Sequence, residues 1–78
     1  MNANETKFQY SGTALGSFDF VGTKAEFEKM LSELQAVAPE FTGKIETGST
    51  RDTLPGQKRG EYRDCLTYGG ECIAIAVE

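Results

Sequence analysis

Glu61-Tyr62-Arg63-Asp64-Cys65-Leu66-Thr67-Tyr68-Gly69-Gly70-Glu71-Cys72-Ile73-Ala74-Ile75-Ala76-Val77 reads as two strands joined by a two-residue turn. Gly69-Gly70 is a pair able to take the positive φ angles that such a turn requires. Glu61 to Tyr68 and Glu71 to Val77 then pair antiparallel. In that register Leu66 faces Ile73, Asp64 faces Ile75 and Tyr62 faces Val77, so one face of the hairpin is apolar except at Asp64. A carboxylate there implies a bulge, a frayed outer strand end or a working acid, because a buried acid needs a partner. Cys72 to Val77 is apolar on both faces, with small residues on one, as a central strand covered by a helix is.

The covering helix is legible upstream. Thr23-Lys24-Ala25-Glu26 has the spacing of a capping box, in which the Thr23 hydroxyl accepts from the third helical amide and Glu26 reaches back to the amide of Thr23. Phe27, Met30, Leu31, Leu34 and Val37 follow on one stripe at helical spacing, with Lys24, Glu26, Glu28, Lys29, Glu33 and Gln35 elsewhere. Pro39 ends the helix, since its ring clashes with a helical residue before it. Nearer the N-terminus, Phe8 and Tyr10 alternate with polar residues, as do Phe18 and Phe20, which predicts a first hairpin around Ser11 to Gly16. Gly43 to Thr47 is a short edge strand with one strong apolar residue, Ile45.

These elements make one α+β domain over residues 1–78, in the order ββαβββ: a mostly antiparallel sheet of four or five strands with one α-helix on one face. The order resembles a β-grasp arrangement, which implies that the last strand lies in the middle of the sheet. Residues 1–6 are expected to be disordered and 48–60 to form an exposed loop.

A chain of 78 residues has room for one core and no deep substrate cavity, so any activity uses the exterior. Twelve acidic and eight basic residues give a net charge of −4, which opposes general attraction to nucleic acid or anionic lipid. The charge is uneven: residues 1–46 carry −3, residues 47–65 carry +1 and residues 66–78 carry −2. Met1 to Thr6 is polar and unlike a leader, and no span approaches the roughly 20 apolar residues of a membrane helix, so a cytoplasmic protein without membrane contact is expected. The Asn4-Glu5-Thr6 sequon carries no weight in such a chain.

Catalytic and metal signatures are weak. The chain has no His, which removes the commonest general base and any Ser-His or Cys-His pair. Its two cysteines, Cys65 and Cys72, share a face but sit diagonally, about 7–8 Å apart and too far for a disulfide, so two buried thiols are expected, to be bridged only if a bulge such as one at Asp64 shifts the register. Two Cys without His do not complete a zinc site. A carboxylate pair such as Glu61 with Asp64 is the remaining route to catalysis. Gly12-Thr13-Ala14-Leu15-Gly16-Ser17 lacks the Lys of a P-loop and reads as a hairpin turn. No catalytic, cofactor or metal residue is assigned, and the chain is read as a non-enzyme.

Two surfaces remain as candidates. Arg51 to Arg63 gathers four of the eight basic residues, and Pro55-Gly56 sets a tight turn that holds Arg51 and Asp52 on one limb and Lys58 and Arg59 on the other. Glu61, Tyr62 and Arg63 continue that surface, which is either a solvated connection, a docking site for an acidic protein patch or a contact for nucleic-acid phosphates. Glu26, Glu28 and Glu33 on the helix form the complementary acidic surface, suited to a basic groove.

In size, acidity, lack of a catalytic set and single small α+β domain, the chain resembles the anti-CRISPR proteins and other small phage inhibitors of host machinery. The resemblance covers the whole chain in general character and rests on no shared motif. It implies a protein that binds a larger protein or ribonucleoprotein complex stoichiometrically and blocks nucleic-acid or nuclease access; the small core of so short a chain is compatible with a monomer or a homodimer. The alternatives are a nucleic-acid-binding module built on residues 51–63 and a small enzyme or ubiquitin-like structural subunit.

Overall fold

A computed structural model describes residues 6–77. The expectation for residues 1–6 falls, but for Thr6, outside the described residues. Five strands and one helix follow in the order β1 (Phe8–Tyr10), β2 (Val21–Gly22), α1 (Lys24–Val37), β3 (Ile45–Thr50), β4 (Arg63–Tyr68) and β5 (Glu71–Ala76). The strands form one sheet in the order β2-β1-β5-β4-β3. The last strand is therefore central, as its two-sided apolar pattern predicts. Every neighbouring pair, β1–β5 included, is antiparallel. No helix among the described residues is long and apolar enough to cross a membrane.

Helix α1 starts where its cap dictates. Thr23 is in extended conformation, its Oγ1 accepts from the Glu26 amide at 3.3 Å, and Glu26 Oε1 accepts from the Thr23 amide at 2.8 Å. Phe27, fully buried, and Leu31 drop onto one face of the sheet, into a core with Phe8, Tyr10, Leu15, Ile45, Leu66, Ile73, Ala74 and Ala76. Met30 and Leu34 pack at its margin. Val37, expected on the same stripe, is instead 80% exposed. At about 100° per residue it points nearly 90° away from the mean direction of Phe27, Leu31 and Leu34.

The first hairpin forms, but its second strand lies at Val21–Gly22 and not at Ser17 to Phe20. The Tyr10 hydroxyl donates to the Gly16 carbonyl at 2.6 Å and accepts from the Leu15 amide at 3.1 Å, which folds the connection back over β1. Phe18 stacks flat on the Tyr10 ring, with centroids 4.3 Å apart. Strand pairing starts only beyond it, where the Tyr10 amide donates to the Phe20 carbonyl at 2.8 Å.

The β4–β5 hairpin turns at Gly69 and Gly70, with φ of +62° and +84°, and pairs Thr67 with Cys72 as expected. One residue further the register breaks. Leu66 pairs with Ala74 and Cys65 with Ile75, so the expected partners Leu66–Ile73, Asp64–Ile75 and Tyr62–Val77 are overturned. Ile73 is the extra residue of a bulge, and its carbonyl accepts from the amides of both Ser11 and Gly12, at 2.9 and 3.1 Å. Gly12 permits this approach, because a Cβ there would lie 3.3 Å from the Ile73 Cα. The slip sends Ile75 to the face of the sheet away from the helix. It also resolves the misfit at Asp64, which is exposed near the start of β4 opposite Ser49. Glu61 and Tyr62 lie outside β4, and Val77 outside β5.

Strand β3 is the expected edge strand, but it runs from Ile45 to Thr50 and pairs with β4 along its whole length. Residues 48–50 are thus ladder and not loop. Nor is the following segment a free excursion. Leu54, Cys65 and Ile75 are all buried yet stand outside the helix-side core, because residues 51–60 cover the second face of the sheet.

Candidate functional site

Pro55 and Gly56 build the turn that positions this face. Gly56 has φ of +87°, and the Gln57 amide donates to the Leu54 carbonyl at 3.0 Å, which closes a turn with Pro second and Gly third. Gln57 then anchors the turn to β5: its Oε1 accepts from the Leu54 amide at 2.8 Å, and its Nε2 donates to the Ala76 carbonyl at 2.9 Å. Leu54, 7% exposed, is the apolar pin beneath. On the other limb, Thr50 Oγ1 accepts from the Asp52 amide at 3.1 Å.

The two limbs enclose a recess of about 610 Å³, open to solvent, with Arg51, Asp52 and Thr53 on one side and Arg59 and Gly60 on the other. Ser11 and Ile75 complete its lining. The Arg51 guanidinium lies over the Tyr62 ring, 5.3 Å from its centroid, and the ring is otherwise open, Tyr62 being 70% exposed. Of the residues singled out in the sequence, the fold therefore brings Arg51, Asp52 and Arg59 to one recess and places Tyr62 against Arg51. Lys58 and Glu61 stay outside it, as an exposed pair at 4.0 Å that adds little stability. Arg63 does not line the recess. It is half-buried on β4, and its Nε and one Nη are buried without a hydrogen-bond partner among the described residues.

Sequence reasoning missed Ser11, Ile75 and the anchor Gln57. Ser11 arrives from the first hairpin, and Ile75 reaches this face only through the bulge. A Gln directly after Pro-Gly was the one local signal for Gln57, since its amide side chain fits a turn's backbone groups.

Two of the three helix acids are engaged within the fold. Glu26 belongs to the capping box, Glu28 bonds Lys24 Nζ at 2.8 Å, and Glu33 is exposed.

Both cysteines are free thiols; Cys65 is buried, while Cys72 is only half-buried. Burial, then the neighbouring Cys65 and more weakly Asp52, pushes the Cys72 thiol from 9.0 up to about 11, against a backbone hydrogen bond with Ala74 that opposes the rise. Cys72 is thus protonated at neutral pH and a poor nucleophile. Compared with known protein families, curated proteins and solved structures, the chain matches none.

Proposed function

We propose that this chain is a non-enzymatic binding protein that docks its 51–62 face onto a larger protein or ribonucleoprotein assembly and inhibits that assembly by blocking access to nucleic acid. One observation carries the choice of face. Arg51 and Arg59, two of the chain's three arginines, lie exposed on this face, and neither has a carboxylate within 4.0 Å among the described residues. In a chain with twelve acids, unpaired guanidinium groups on a pinned turn are charge left available for a partner. On the helix, by contrast, two of the three candidate acids are engaged within the fold. Pinning by Leu54 and Gln57 reduces the entropy lost on docking. The inhibitory outcome rests on the likeness in size and acidity to small phage inhibitors of the anti-CRISPR kind.

The test is a quantitative pull-down from host lysate with the tagged chain and with an R51E/R59E variant, followed by a nucleic-acid-binding assay of whatever assembly is recovered. The expected result is one defined assembly, lost with the variant, whose nucleic-acid binding falls in proportion to added protein. Equal recovery by both forms, or an assembly that binds nucleic acid undiminished, would refute the reading.

A further inference from the structure

We propose that the Arg51–Arg59 recess is a carboxylate-recognition site, and that its occupant is an acidic peptide segment of a protein partner, with an Asp or Glu side chain reached by both guanidinium groups. The inference rests on the docking reading above and names what that face takes.

Both arginines line the recess, and neither is neutralised by a carboxylate within 4.0 Å among the described residues. A guanidinium is a planar fork of donors that matches a carboxylate or phosphate with two parallel hydrogen bonds. Arg51 is also held from behind by the Tyr62 ring, so less side-chain freedom is lost when a guest binds. Ser11 and Thr53 add hydroxyls to the lining.

Two features favour a carboxylate over a phosphate. Asp52 stands in the same lining and repels a doubly charged group more strongly than a singly charged one. The whole chain carries −4, which works against approach to a polyanion. A volume of about 610 Å³ lies within the roughly 300–1,000 Å³ of ligand sites, and it far exceeds one carboxylate. Because the recess is open, the fitting guest is a short stretch of chain that stays partly in water.

Fluorescence anisotropy at low salt tests this with a labelled hexapeptide of sequence Gly-Glu-Leu-Glu-Glu-Gly, its Gln-for-Glu analogue, and a ten-residue oligothymidylate. The acidic peptide is expected to bind, and the Gln analogue to bind at least about tenfold more weakly. Arg51→Gln and Arg59→Gln should each weaken the acidic peptide by roughly tenfold, and Lys58→Gln, outside the recess, by less than about twofold. Arg51→Lys keeps the charge and loses the fork, so it should fall between wild type and Arg51→Gln. Losses at Arg51 and Arg59 no larger than at Lys58, an equally bound Gln analogue, or tighter binding of the oligothymidylate would each overturn the site. The two proposals separate cleanly. Recovery of an assembly by a chain that ignores the peptide sinks this inference alone, whereas peptide binding without any recovered assembly upholds the site and sinks the docking function.

Discussion

Leu54→Ala asks whether residues 51–60 are a built surface or a solvated connection. Leu54 is 7% exposed and lies apart from the core under the helix, so its burial is due to the second face of the sheet. Truncation to Ala removes three carbon atoms, worth about 2.4 kcal/mol at about 0.8 kcal/mol per buried methylene. A residual cavity would add to this, but a turn at the surface can settle into the space, which places the total at about 2–3 kcal/mol, in the lower part of the range for buried Leu→Ala changes. For a domain of this size each kcal/mol moves Tm by roughly 4–8 °C, so a fall of about 10–20 °C is expected. Urea and thermal unfolding followed by far-ultraviolet circular dichroism measure both quantities. Amide exchange adds locality: the Gln57 amide, bonded to the Leu54 carbonyl, should lose more protection than the Phe27 amide, bonded to the Thr23 carbonyl. A stability change below about 0.5 kcal/mol, the scale of an ordinary surface substitution, would refute the seating of this segment and with it the recess.

Thr23→Ala should cost about 1 kcal/mol by removing the cap of α1, read as a lower urea midpoint with an unchanged slope. Gly43→Ala should cost about 1–3 kcal/mol. The added Cβ would stand 2.9 Å from the Tyr68 ring, whose hydroxyl accepts from the Gly43 amide at 3.1 Å; a neutral substitution would show that the ring moves aside freely. Cys72 makes alkaline stability a third readout. Its folded pKa of about 11 exceeds its ordinary 9.0, so the fold favours the protonated thiol. That contribution is complete below pH 9 and disappears as pH rises through 11. Urea midpoints should therefore drop more between pH 8 and 11 in wild type than in Cys72→Ala, and equal drops would contradict the assignment.

Elements set by neighbouring residues were legible along the chain. The capping box placed the start of α1, Gly69-Gly70 and Pro55-Gly56 placed two turns, and the two-sided apolar run of β5 placed it in the centre of the sheet. For the candidate site, the sequence identified the basic segment and its turn, but not the recess. The residues that complete the recess come from distant parts of the chain.

Tertiary structure decided the rest, and it did so through backbone groups that sequence patterns do not show. The amides of Ser11 and Gly12 converge on the carbonyl of Ile73, the ladder slips by one residue, and Ile75 changes face. Strand alternation has a period of two, so one inserted residue reverses every side chain beyond it. The Tyr10 hydroxyl likewise delays β2 until Val21, and Gln57 fastens the basic turn over Ile75. Local propensity and hydrophobic period are properties of neighbours in the chain. Which distant donor satisfies a given carbonyl is known only once the chain has closed on itself, and here that choice turned a loop into a surface.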